Sequence, residues 1–245
     1  MNKLKSFKIY DLVKSQEGKG YLFALKNKLA HLEEQGQFND YVEIDNALEL
    51  LTWEEKSVLS SIDEIDLSDF GRNVKIVSQG LSTPPLDKIT EQPIFVVNNK
   101  PQQIKRTIYL PSEVMKAYRN MNAAYQESHP GRTFMLESGY RHPIVQRYLI
   151  VFFLVGSYNY SLTEVFKRVL PPIYSQHCSP NVTALDLCNI DTEIDPEYKY
   201  TTAFALTPVY EWLKRHGKEF GFYESYPEGN SEGIVWEPWH WQYRP

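Results

Sequence analysis

Val114, Met115, Tyr118, Met121 and Tyr125 recur at the three- and four-residue spacing that lines one face of a helix. The pattern predicts a helix opening after Pro111-Ser112. Phe134 to Leu136 reads as a short strand that delivers Ser138-Gly-Tyr-Arg141, and a second apolar helix follows through Phe153. Pro143 sits in its first turn, where a missing amide hydrogen is not needed. Ser161-Leu-Thr-Glu164 has capping-box spacing, and Pro171-Pro172 ends the short helix it opens. After a loop from Ile173 to Pro180, the run Val182 to Leu187 is β-like. Thr207 as cap, Pro208 in the first turn and Gly221 beyond the last turn bracket a helix bearing Val209, Trp212, Leu213 and His216. Two predicted strands close the chain, Phe222 to Tyr226 and Ile234 to Tyr243, joined by Pro-Glu-Gly-Asn-Ser.

The first part of the chain is patterned differently. Tyr21 to Glu34 is rich in helix formers, Thr52-Trp-Glu-Glu55 is a capping box opening Trp53 to Ile62, and neither carries candidate chemistry. Ser82-Thr-Pro-Pro-Leu86 and Val97-Asn-Asn-Lys-Pro101 hold the turn residues of connections. A helical N-terminal extension over residues 1–95 is therefore expected to precede a domain over residues 105–245. The expected class is α+β: a small, mainly antiparallel sheet with helices packed on one face.

Composition narrows the function. With 245 residues and 42% apolar content the chain can bury a core without staples. A net charge of −5 offers no overall attraction for phosphate backbones, so no nucleic-acid partner is expected. The longest apolar stretch, Tyr148 to Val155, is far short of the roughly 20 residues of a membrane span. No apolar run of signal-peptide length lies in the opening MNKLKSFKIYDLVKSQEGKG, so a cytoplasmic protein is expected as encoded, unless a leader has been removed. Cys178 and Cys188 form neither a disulfide framework nor a C-x-x-C pair.

Three side chains of metal-ligand type follow in the second half: His177 in Ser175-Gln-His-Cys, Asp186 in Ala-Leu-Asp-Leu, and His240 in Trp-Glu-Pro-Trp-His. Two imidazoles and a carboxylate make a catalytic zinc set, because three protein ligands leave the fourth tetrahedral position for water. Glu237, three residues before His240, is then the candidate base. A lone histidine is more often a satisfied core or surface residue than a ligand, so both readings stand on the residues alone. Glu and His three apart also occur in helical di-iron sites. Pro238 and the flanking Ile234, Val235, Trp236, Trp239 and Trp241 favour a buried strand here. Cys188, two positions after Asp186 and so on the same side of a strand, is either an extra soft ligand or a buried inert thiol.

Taken in order, these pieces resemble the VanY-like D-alanyl-D-alanine carboxypeptidases, within the wider group that includes lysostaphin-type peptidases and the hedgehog signalling domain. The resemblance covers about residues 105–245. It rests on Ser138-Gly-Tyr-Arg141 with Gln146 downstream, Ser175-Gln-His177, Ala184-Leu-Asp186, Glu211-Trp-Leu213 running into Phe220-Gly-Phe222, and Glu237-Pro-Trp-His240. It implies a zinc ion held by His177, Asp186 and His240, Glu237 as catalytic base, and Arg141 on the substrate. A guanidinium fork matches a terminal carboxylate. Ser138, Gln146 and Ser175 are further candidates for hydrogen bonds to the substrate's last residue, although Ser175 could cap its own loop instead.

One departure stands out. The family pattern S-x-H-x-x-G-x-A-x-D is replaced by Cys178-Ser-Pro-Asn-Val-Thr183 between His177 and Ala184, a loop two residues longer and without the glycine. Lengthening a loop costs little entropy beside coordination, so both ligands are still expected at one metal. The expected function is removal of the C-terminal D-amino acid from a peptidoglycan stem peptide. An L,D-carboxypeptidase, a lysin-type endopeptidase and a non-catalytic zinc-containing peptide-binding module are the competing readings.

Overall fold

A computed structural model describes residues 7–36, 48–78, 85–92, 95–97, 100–102, 107–189 and 202–245. In chain order these form α1 (Ile9–Leu12), α2 (Gln16–Glu34), α3 (Trp53–Ser60), β1 (Leu86–Ile89), β2 (Phe95–Val97), β3 (Lys100–Gln102), β4 (Ile108–Pro111), α4 (Ser112–Ser128), β5 (Phe134–Ser138), α5 (Pro143–Gly156), α6 (Leu162–Val165), β6 (Ala184–Asn189), α7 (Pro208–His216), β7 (Phe222–Glu224) and β8 (His240–Tyr243). The class is α+β. The connections read at Ser82–Leu86 and Val97–Pro101 fall partly outside the described residues. Among the described residues no helix is long and apolar enough to cross a membrane.

Contacts divide the chain into two compact units, each assembled from separate stretches. One comprises Met1–Gln79, Arg141–Cys178 and Ser231–Ile234. Its α2 buries Leu22, Leu25, Leu29 and Leu32 and packs on α5, which buries Ile144, Val145, Tyr148, Ile150, Val151 and Leu154. Gly18 is there because backbone lies where a side chain would be: a Cβ would meet the Leu12 carbonyl oxygen at 2.2 Å. The capping box of α3 is complete, with Thr52 Oγ1 accepting from the Glu55 amide at 3.2 Å and Glu55 Oε2 accepting from the Thr52 amide at 2.8 Å. Such a cap contributes about 1 kcal/mol. Beyond α3, Asp63 takes a fork of two hydrogen bonds from Arg147 of α5, through Nε and Nη2.

The other unit comprises Gly80–Tyr140, Ser179–Asn230 and Val235–Pro245. It holds an antiparallel four-stranded sheet in the order β5-β6-β8-β7, together with the antiparallel pairs β1–β4 and β2–β3. Val114, Met115, Tyr118, Met121 and Tyr125 of α4 are the buried stripe that the spacing predicts. They share a core with Val209, Tyr210, Trp212 and Leu213 of α7 and with Leu136, Leu185, Leu187, Phe222 and Trp241 of the sheet. Each such side chain stabilises the fold by about 1.5–3 kcal/mol relative to exposure. Gln92 guards the β5 edge by acting as a strand: its amide donates to the Leu136 carbonyl at 2.7 Å and accepts from the Leu136 amide at 2.8 Å.

The C-terminal elements are shorter than their apolar runs predict. Strand β8 begins only at His240, because Pro238 and Trp239 form a turn that interrupts the ladder. Strand β7 stops at Glu224 instead of Tyr226. Helix α7 stops at His216, and a 3-10 turn, Gly217–Phe220, leads to Gly221 at φ +81°. Glycine suits position 217 for want of space, since a Cβ there would lie 3.1 Å from the Trp241 ring.

Candidate metal centre

Asp186 and His240 are paired across β6 and β8. Directly opposed residues of an antiparallel pair share a face. Their neighbours Leu185, Leu187 and Trp241 point into the core, so alternation sends Asp186 and His240 to the opposite face. There His240 Nδ1 lies 2.9 Å from Asp186 Oδ1, and both residues are buried. The Tyr226 ring stacks on the His240 imidazole at 5.2 Å and 26°. Nothing in the sequence flags Tyr226; it comes beside His240 because the chain just past β7 stays bonded there, the Ser225 amide donating to the His240 carbonyl at 3.2 Å.

His177 comes from the short 3-10 turn Gln176–Cys178 and is likewise buried. One ligand atom from each of His177, Asp186 and His240 lies within 4.8 Å of the others. Among the described residues this is the one group of three or more His, Cys, Asp or Glu side chains placed to share a metal. Cys188 is buried and outside the group. Gathering a carboxylate and two imidazoles in a buried place is costly unless a cation or proton is shared among them, and this donor set is the one zinc prefers.

Glu237 and His240 are the two ends of a turn. The His240 amide donates to the Glu237 carbonyl at 3.0 Å, with Pro238 in the position that turns favour for it. Residues three apart on a regular strand would face opposite ways; the turn brings both to one end of β8. It is fastened at several points. Trp241 Nε1 donates to the Pro238 carbonyl at 2.9 Å, the Leu187 amide to the Trp239 carbonyl at 3.0 Å, and the Glu237 amide to the Tyr226 carbonyl at 3.1 Å. Just before it, Trp236 Nε1 donates to Glu224 Oε1 at 3.0 Å.

Arg141 is oriented by its surroundings. Its Nη1 donates to Gln146 Oε1 at 2.7 Å, and its backbone amide donates to the His177 carbonyl at 2.9 Å. Gln146 Nε2 in turn donates to the Leu170 carbonyl at 2.8 Å, so both ends of that buried amide serve to hold Arg141. Ser175 is buried in the loop, its amide donating to the Pro171 carbonyl and its carbonyl accepting from the Cys178 amide. Burial pushes the Cys178 thiol up to about 12, which makes it inert. Ser138 stands opposite Asp186 after a bulge in β5 and is buried. The glycine that follows it is a matter of space: a Cβ on Gly139 would meet Leu110 at 2.6 Å and the Tyr109 carbonyl oxygen at 2.7 Å.

His142 caps α5, its Nδ1 accepting from the Ile144 amide at 3.2 Å. Burial, helped by the Arg147 charge, pushes it from 6.5 down to about 4. Between those values the unfolded chain binds more protons than the folded one, so stability rises with pH and is lost as pH falls from 6.5 toward 4. The loss is expected to reach about 1–3 kcal/mol. Melting curves across this range should show the slope, and His142→Asn, which keeps a capping acceptor but does not titrate, should flatten it. An unchanged slope in His142→Asn would assign the dependence to other groups.

The family model VanY, described as D-alanyl-D-alanine carboxypeptidase, matches residues 107–245. No curated protein sequence matches. Among solved structures, the LdcB LD-carboxypeptidase is 21% identical at a TM-score of 0.52, over 70% of this chain and 74% of that one. The vancomycin-resistance D,D-pentapeptidase VanY, solved as a mutant with Zn(II), is 18% identical at 0.45, over 69% and 86%. The L,D-carboxypeptidase DacB from Streptococcus pneumonia is 19% identical at 0.40, over 70% and 86%. At 21% identity the likeness to the LdcB LD-carboxypeptidase is one of fold. Family membership rests on the match over residues 107–245: this chain belongs to the VanY D-alanyl-D-alanine carboxypeptidase family.

Proposed function

We propose that this protein is a zinc-dependent D-alanyl-D-alanine carboxypeptidase that removes the C-terminal D-amino acid from peptidoglycan stem peptides. The observation that carries the reading is the convergence of His177, Asp186 and His240 in a chain of this family. When bound there, zinc supplies a Lewis acid that activates water and polarises the scissile carbonyl. Glu237 takes a proton from the attacking water and passes it to the departing amine, general base and then acid on one carboxylate. Arg141, steadied by Gln146, reads the free carboxylate of the last residue with parallel charge-assisted hydrogen bonds. Ser138 and Ser175 serve as further hydrogen-bond donors to that same residue.

Mass spectrometry of defined muropeptides with the zinc-loaded protein tests the reading directly. Loss of one D-alanine from a D-Ala-D-Ala pentapeptide is expected. Release from a tetrapeptide alone would assign the L,D-specificity of the LdcB and DacB enzymes instead. Arg141→Lys supplies the charge without the fork, and about 2–4 kcal/mol should be lost in kcat/KM. Amidating the peptide's C-terminus should cost the wild type a comparable amount. Equal cleavage of free and amidated peptides would remove the carboxypeptidase assignment.

A further inference from the structure

Among the described residues the N-terminal stretch contributes no member of the His177, Asp186 and His240 group, yet Val77 and Ser78 bond to the loop that carries His177. Val77 donates its amide to the Ile173 carbonyl at 2.8 Å, and Ser78 Oγ donates to the Pro172 carbonyl at 2.7 Å. Pro172 and Ile173 are the root of the turn that delivers Ser175 and His177. The same strap, a few residues earlier, bonds elsewhere: the Asn73 amide donates to the Glu232 carbonyl at 3.0 Å, and Arg72 Nη2 donates to the Thr163 carbonyl at 3.3 Å. Gly233, at φ +75°, packs so closely on Gly71 that a Cβ would meet its carbonyl oxygen at 3.1 Å. Glu232 and Gly233 directly precede the segment that leads into Glu237. Upstream, Asp63 holds Arg147, the neighbour in sequence of the Gln146 that orients Arg141.

We infer that residues 63–78 are a brace for the metal centre, and that Ser78 is a positioning residue for His177. The inference rests on the zinc-site reading above. The loop from Pro171 to Cys178 closes on itself through the Ser175 amide to Pro171 and the Cys178 amide to Ser175, bonds that set its internal shape, while its direction depends on bonds to other segments. Tying its root to a strap that is itself anchored at Thr163 and Glu232 removes the remaining freedom before a metal arrives. Ligands held in place bind a metal more tightly than ligands that must first be ordered, because the ordering cost is met by folding.

The test uses the full chain. Ser78→Ala deletes the bond to the Pro172 carbonyl, and Ser78→Thr keeps a hydroxyl. Thr52→Ala is the control, since it removes the α3 cap in the same unit without touching the loop. Zinc affinity by chelator competition should fall about 3- to 10-fold in Ser78→Ala, the worth of one hydrogen bond, and recover in Ser78→Thr. Amide exchange of residues 173–178 in the metal-free protein should quicken in Ser78→Ala alone. Thr52→Ala should lower the melting temperature and leave both readouts at the wild-type level. Wild-type zinc affinity and exchange in Ser78→Ala would overturn the brace, as would an equal zinc loss in Thr52→Ala. A wild type that takes up no zinc would sink the proposed function, while the exchange measurement would still read the brace.

Discussion

A Glu237→Gln protein is expected to fold, to take up zinc and to bind peptide, and to turn over roughly 100- to 10,000-fold more slowly than the wild type. Glutamine has the size and most of the hydrogen bonding of glutamate but accepts no proton at neutral pH. The backbone fastenings of the turn do not depend on the side chain: the Glu237 amide still reaches Tyr226 and its carbonyl still accepts from His240. The candidate ligands His177, Asp186 and His240 are untouched. Loss should therefore fall on kcat, with KM nearly unchanged, because a proton acceptor acts in the transition state. Zinc content, thermal melting and product release from a D-Ala-terminated peptide are measured on the same sample. Wild-type turnover in a folded, zinc-replete variant would dismiss Glu237 as the base. A wild type inactive on every muropeptide would favour the peptide-binding module.

The parts of this molecule legible in the sequence are those governed by local periodicity. The buried face of α4 is set by residues three and four apart, and the box at Thr52 and Glu55 closes within one turn. The ends of β7 and β8 were less legible, since an apolar run such as Ile234 to Trp239 reads as a strand whether or not it pairs. Here the apolar residues serve other bonds. The Trp236 indole goes to Glu224, and Pro238 turns the chain so that pairing resumes only at His240.

The ligand set was readable as a list of residue types, and its order supported the resemblance. Its closeness was not, because it depends on the register of β6 against β8 and on a loop of unusual length. Residues that act from a distance along the chain left no signal at all. Gln92 covers the β5 edge across 44 positions, and the Ser78 hydroxyl reaches Pro172 across 94. Both are ordinary polar residues whose role exists only once the chain has folded.

The two candidate histidine ligands should fail differently when removed. Zinc binding is expected to drop in both His177→Ala and His240→Ala by more than the 10- to 100-fold that outer partners of a metal typically account for. The metal-free proteins, however, should not melt alike. His240 is a hydrogen-bond partner of the buried Asp186 carboxylate, and leaving a buried acceptor short of a partner costs about 1–3 kcal/mol. His177→Ala leaves the pair of Asp186 and His240 in place and should lose less stability than His240→Ala. Adding zinc raises the melting temperature of any protein that binds it only when folded, so the wild type should gain stability with zinc concentration and neither variant should. Coordination also requires neutral imidazoles, and the wild-type gain should shrink as pH falls. Elemental analysis beside the melting curves decides the matter: full stoichiometric zinc in both variants would remove His177 and His240 from the ligand set, and equal melting of the two metal-free variants would mean that the bond between His240 and Asp186 carries little of the stability assigned to it.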